Sequence, residues 1–147
     1  MCNDENTYDV RNWLRPEEEA PEWFWEIIAS GKQDRGLFRT LCHELPKEQF
    51  AQFLQEYRVL ANAFVELPFA SSPNSGGSED HLLDTGRWVI SQGKGYFLNV
   101  WHQPEEFWSL LGQSVIKKKN GKTKQESYGY LPEEIWLERF GEDFRSL

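Results

Sequence analysis

The chain has 147 residues, the length of one ordinary domain, and a formal net charge of −8. A chain of this size buries about 70% of its unfolded surface, so it needs no disulfide, structural metal or obligate partner to fold. The acidic balance argues against a general duplex-binding protein, and 15% aromatic residues argue against disorder. No stretch approaches the roughly 20 apolar residues that a membrane span needs. We therefore expect one soluble, acidic, globular domain.

Cysteine content and the first residues favour a cytoplasmic protein. Cys2 and Cys42 are too few and too irregularly placed for a disulfide framework or a paired-cysteine zinc site. The N-terminus is acidic and polar, without the basic and apolar regions of a signal peptide. Cys42 falls on the apolar stripe of a predicted helix, where we expect it to behave as a small hydrophobe.

Residues 1–20 are predicted to form an acidic, solvated arm with little helical periodicity. The arm carries the acidic run Glu17, Glu18 and Glu19. It also contains four apolar residues, Tyr8, Val10, Trp13 and Leu14. These residues suggest that the arm is pinned across the surface of the domain.

Apolar residues recur at helical spacing in seven later segments. The segments run from Pro21 to Gly31, Asp34 to Leu45, Pro46 to Phe64, Ser78 to Gly93, Tyr96 to Trp101, Pro104 to Gly112, and Pro132 to Gly141. Gly86 lies inside the fourth segment, at a cost of about 1 kcal/mol relative to alanine that a close helix contact would justify. The sequence thus predicts an all-α bundle of six to seven helices, a single domain over residues 1–147.

Two segments lack this periodicity. Residues from Pro68 to Ser78 are rich in turn formers and are predicted to be a mobile loop. Residues 114–130 contain Asn120-Gly121, a strong two-residue hairpin signal, so either a small β-hairpin or a loop is expected there. This segment carries a basic tip made of Lys117, Lys118, Lys119, Lys122 and Lys124. A solvated loop is the simpler interpretation, and contact with nucleic acid or an acidic partner is the alternative.

Motifs for catalysis are sparse. The chain has no nucleophile elbow, and Gly93-Lys94-Gly95 lacks the further glycines of a phosphate loop. Its three histidines, His43, His81 and His102, lie on different predicted helices and offer no helical metal clamp. We therefore expect no catalytic residues, metal or cofactor. The alternative is a small metal-dependent hydrolase whose site assembles across helices from His81, His102, Glu105 and Glu106.

Acidity and surplus aromatic residues point instead to protein binding. An acidic surface steers a basic partner into contact, and tryptophan is a favoured interface anchor. The candidate partner-binding residues are Glu17, Glu18, Glu19, Glu79, Asp80, Asp84 and Trp88. The hypothesis is a non-enzymatic immunity or inhibitor protein that neutralises a basic partner such as a bacterial toxin. The oligomeric state is not predicted.

Three sequence strings carry a family resemblance. They are Phe24-Trp25-Glu26-Ile27-Ile28, the segment Arg87-Trp88-Val89-Ile90-Ser91-Gln92-Gly93, and the turn Gln103-Pro104-Glu105. Together they resemble the bacterial family DUF4240, a domain of unknown function, over about residues 22–112. Tyr96 takes the place of a family tyrosine, whereas Gln103 departs from the family aspartate. The resemblance implies an all-helical cytoplasmic domain and supplies no catalytic residues.

Overall fold

The computed structural model describes residues 9–71, 78–113, 118–119, 122–123 and 128–144. Over these ranges the protein is an all-α single domain, as predicted. Its α-helices are α1 (Pro16–Glu19), α2 (Glu22–Gln33), α3 (Arg35–Glu44), α4 (Lys47–Asn62), α5 (Glu79–Ser91), α6 (Lys94–His102), α7 (Pro104–Gln113) and α8 (Leu131–Phe140). Single 3-10 turns occur at Val10–Asn12, Ala63–Val65 and Phe69–Ser71. None of the described helices is long and apolar enough to cross a membrane.

Two short strands accompany the helices. Strand β1 (Lys118–Lys119) pairs antiparallel with β2 (Lys122–Thr123), in the register that a hairpin around Asn120-Gly121 requires. Asn120 and Gly121, together with Lys117 and Lys124 of the basic tip, lie outside the described residues.

The seven predicted helical segments correspond to α2–α8. Asp34 caps α3 by accepting hydrogen bonds from the backbone amides of Gly36 and Leu37. Ser78 caps α5 in the same way through the amide of His81. Gly141 ends α8 in the left-handed conformation, with φ 68°. Local capping signals therefore account for these three helix boundaries.

Helix α4 forms the centre of the core, and its Phe53, Leu54, Tyr57 and Leu60 are fully buried. The 3-10 turn that follows α4 carries Phe64. The ring of Phe64 meets those of Phe69, Phe97, Trp101 and Phe107. Helix α5 approaches this cluster at Gly86, where an added Cβ would lie 2.8 Å from the Phe64 ring. The expected close helix contact at Gly86 is confirmed.

The arm, predicted to be solvated with little helical periodicity, contains two short helical elements in its described part. These are a 3-10 turn (Val10–Asn12) and helix α1 (Pro16–Glu19), and Val10, Leu14 and Ala20 are buried against the domain. The Val10 amide donates a hydrogen bond of 2.7 Å to the carbonyl oxygen of Leu67. Val10 and Leu14 thus pin the arm to the domain, whereas Trp13 is 63% exposed and Tyr8 lies outside the described residues.

The predicted mobile loop also differs at its beginning. Phe69 is fully buried against Phe64, so the segment starts with a packed 3-10 turn instead of a loop. Residues 72–77, which make up most of that prediction, lie outside the described residues.

Helix α2 does not stop at Gly31, as the sequence suggested, but continues to Gln33. Gly31 is buried where α3 and Tyr128 meet α2. A Cβ added there would lie 2.6 Å from the Cβ of Phe38 and would overlap the Tyr128 hydroxyl group. The glycine therefore serves close packing and does not end the helix.

We predict that Gly31→Ala lowers the free energy of unfolding by about 1 to 3 kcal/mol, because the new methyl group overpacks this contact. Gly95→Ala is the matched control, since Gly95 also lies within a helix and has nothing within 4 Å of an added Cβ. The control should be neutral or up to about 1 kcal/mol more stable. Urea denaturation measures both variants, and equal stabilities would contradict the packing described here.

Candidate partner-binding surface

Helix α8 is fixed to the domain through its inner face. Ile135 and Trp136 are fully buried, and the Trp136 ring lies 5.6 Å from that of Phe50. Arg139 donates hydrogen bonds of 2.7 Å to the carbonyl oxygens of Cys42 and Leu45, at the end of α3. These contacts use carbonyl groups that a helix end leaves without intrahelical partners. They hold α8 in one orientation.

The outer face of α8 carries two large exposed side chains. Tyr130 is 50% exposed and Leu137 is 53% exposed. They line a groove of about 320 Å³ together with Glu133, Glu134 and Asp143. We call these five residues the acidic groove. Residues at positions 130, 133, 134 and 137 share one helix face because they are three, four or seven positions apart.

Charge on α8 divides into two groups. Glu138 forms an ion pair of 2.7 Å with Arg39, and Glu142, just beyond the helix, pairs with Lys47 at 3.3 Å. Glu133 and Glu134 form no ion pair with any residue of the described ranges. No basic side chain of the described residues lines the groove. Glu133 and Glu134 therefore present negative charge that has no counterion among the described residues.

Tyr130 is held from beneath by helix α5. The Cζ atom of Arg87 lies 4.2 Å from the centre of the Tyr130 ring. Arg87 is only 8% exposed, and its Nη1 lies 3.4 Å from Oδ1 of Asp84. Asp84, one of the predicted partner-binding acids, is thus connected to the edge of the acidic groove through Arg87. Glu79 and Asp80 are exposed in the first turn of the same helix.

The remaining predicted partner-binding residues lie elsewhere. Glu17 and Glu18 line a separate pocket of about 430 Å³ between the arm and α6, where Trp101 and His102 also lie. Trp88 is 8% exposed and packs edge-on against Tyr96, so it does not supply a surface anchor in this conformation. The exposed tryptophan is Trp13, at 63%.

The groove residues were missed in the sequence, although a signal exists. Glu133 and Glu134 lie in the first turn of α8, where the helix dipole by itself favours carboxylates. Leu137 does not follow the stripe of Ile135, Trp136 and Phe140, and Tyr130 lies seven positions before it. Apolar residues at that spacing on the second face of a helix indicate either deeper burial or an exposed contact surface.

The residues of the alternative metal site are not brought together. Nε2 of His81 lies 3.3 Å from the carbonyl oxygen of Leu111, near the end of α7. Glu105 and Glu106 lie in the first turn of α7, about 8 to 9 Å away along the helix axis at 1.5 Å per residue. Across the described ranges, no three His, Cys, Asp or Glu residues are grouped so that they could hold a metal ion. The structure therefore offers this alternative no assembled site.

A buried carboxyl group lies beneath the arm. Glu56 of α4 is 7% exposed, and its Oε2 has no hydrogen-bond partner among the described residues. Burial and, next, the neighbouring Glu19 carboxyl group of α1 raise the pKa of Glu56 to about 8. Glu56 interrupts the apolar stripe between Phe53 and Leu60, which is a signal that sequence reasoning could have used.

The structure therefore defines the protein as an all-α single domain with an acidic, partly apolar surface groove. The family model described as protein of unknown function (DUF4240) matches residues 21–138, and the chain belongs to that family. The match reaches beyond residue 112, where the resemblance was expected to end, and it includes most of α8. No curated protein and no solved structure matches the chain.

We predict that Glu56→Gln raises stability near neutral pH and flattens its pH dependence. The raised pKa means that Glu56 favours the folded state below its unfolded pKa of 4.5 and loses this contribution as pH rises through about 8. Glutamine keeps the shape and stays neutral, so the gain at pH 7 should be about 1 to 3 kcal/mol.

Urea unfolding midpoints between pH 5 and pH 9 measure this effect. Glu48→Gln is the control, because Glu48 lies on the exposed first turn of the same helix. The control should show the same change of unfolding midpoint with pH as the wild-type protein. If Glu56→Gln also shows that change, Glu56 is not the group that causes the pH dependence.

Proposed function

We propose that this protein is a non-enzymatic binding module that recognises a basic protein through the acidic groove of α8. The observation that carries the proposal is the placement of Tyr130 and Leu137, both about half exposed, beside two carboxylates that lack counterions among the described residues. Exposed apolar residues supply contact area, and a surrounding charge of one sign selects the partner and speeds its approach.

The groove suits an interface because it is already formed. Its helix is docked by buried Trp136 and by the hydrogen bonds of Arg139, so a partner need not order the backbone that it contacts. Association loses less free energy when the binding surface is organised beforehand.

In its most concrete form, the proposal is an immunity or inhibitor protein that acts in the bacterial cytoplasm and covers a basic toxin such as a nuclease. Such a partner must itself carry positive charge where it contacts nucleic acid, so an acidic groove is complementary to it. A hydrolase is the weaker alternative, because His81 and Glu105 lie apart. Contact with nucleic acid through the basic tip is a further alternative.

We predict that the protein, used as bait in a bacterial lysate, captures one basic protein in near-stoichiometric amount and releases it as salt rises. The double variant Glu133→Lys/Glu134→Lys should weaken this capture at least about tenfold, since it reverses the charge that attracts the partner. Added in equimolar amount, the bait should also inhibit the activity of the captured protein.

The matched control is Glu17→Lys/Glu18→Lys, which makes the same charge change in the first turn of α1. It should leave capture intact. If the α1 variant abolishes capture and the α8 variant does not, the arm is the interface and the groove is not. Capture of no basic protein by a folded bait would overturn the proposal itself.

A further inference from the structure

We infer that the side chain recognised by the acidic groove is an arginine of the partner, with its guanidinium group between Glu133 and Glu134 and its aliphatic stem along Leu137. This inference rests on the proposed function and deepens it, because it names the chemical group that the groove selects.

The order of side chains along α8 supports this assignment. Tyr130 and Leu137 are seven residues apart, which corresponds to about 10 Å along the helix axis. Glu133 and Glu134 lie between them on the same face. A ligand that fills this space needs positive charge in the middle and apolar surface at the ends. Long basic side chains have this combination, because their charged group follows an apolar stem.

Arginine fits better than lysine for a geometric reason. A guanidinium group is planar, presents its donors as a fork and can bind two carboxylate oxygens side by side. It also packs flat against aromatic rings, and Tyr130 closes one end of the groove. A lysine ammonium group is a compact, strongly hydrated point charge that gains less from both contacts.

The protein itself shows that its tyrosines accept guanidinium groups. Arg35 lies 4.1 Å from the ring centre of Tyr128, and Arg87 lies 4.2 Å from that of Tyr130. The charge of Arg87 is partly balanced by Asp84 at 3.4 Å. Tyr130 remains half exposed and lines the groove beside Glu133 and Glu134.

Titration with two small probes of equal charge tests the inference, with N-acetyl-L-arginine amide compared with N-acetyl-L-lysine amide. Nuclear magnetic resonance follows the backbone and side-chain signals of the groove. We expect saturable shifts confined to the acidic groove and an affinity for the arginine probe at least about threefold higher than for the lysine probe. Equal affinities, or shifts outside the groove, would overturn the assignment.

Variants then assign the contacts. Glu133→Gln/Glu134→Gln should abolish the groove shifts, whereas the matched Glu17→Gln/Glu18→Gln should keep them. Tyr130→Leu should remove the preference for arginine, and Tyr130→Phe should retain it. Unaltered discrimination in Tyr130→Leu would show that the ring contributes nothing to selection.

The experiments distinguish a failure of the binding-module proposal from a failure of the arginine assignment. A captured basic protein that depends on Glu133 and Glu134, together with equal binding of both probes, would leave the binding module standing and remove the arginine preference. Discrimination between the probes without any captured protein would leave a guanidinium site whose partner is not the proposed one.

Discussion

The position of Tyr128 governs the arrangement of the surrounding helices. Its hydroxyl group donates a hydrogen bond of 2.5 Å to the carbonyl oxygen of Ile28 in α2, and its ring lies 4.3 Å from that of Phe38 in α3. Its backbone amide donates to the hydroxyl oxygen of Ser91 in α5. Only a glycine at position 31 leaves room for this insertion. The chain therefore enters α8 from a point fixed by three helices, which in turn decides where the acidic groove lies.

Tyr57 adds a fourth attachment by donating a hydrogen bond of 2.8 Å to the carbonyl oxygen of Gly129. Burial raises the pKa of both Tyr57 and Tyr128, so each hydroxyl group keeps its proton and remains a donor at neutral and mildly alkaline pH. Burial also raises the pKa of Glu56, but only to about 8, so this carboxyl group changes its charge within the same pH range. The hydrogen bonds of these two tyrosines thus persist in a pH range in which Glu56, between α4 and the arm, changes its charge.

Local patterns account for what the sequence predicts well. Helices α2–α8 follow from apolar spacing and from caps such as Asp34 and Ser78, because both signals act within a few residues. Gly31 was misread because its role depends on Tyr128, about a hundred residues later. The acidic groove was missed for a related reason. Whether Leu137 is a core residue or a surface residue depends on which face of α8 docks, and Trp136 decides that through contacts distant in sequence.

Net charge alone does not distinguish solubility from recognition, and the arrangement of carboxylates on α8 is what supports the proposal of recognition. Glu138 is used to hold α8 against Arg39 of α3, so its charge serves the fold. Glu133 and Glu134 have no such partner among the described residues, and they lie beside exposed apolar side chains instead of solvent alone. Charges that served only solubility would need no apolar neighbours. Because the fold leaves both kinds of group at one rigid place, a complementary basic partner gains from each of them without ordering the helix first.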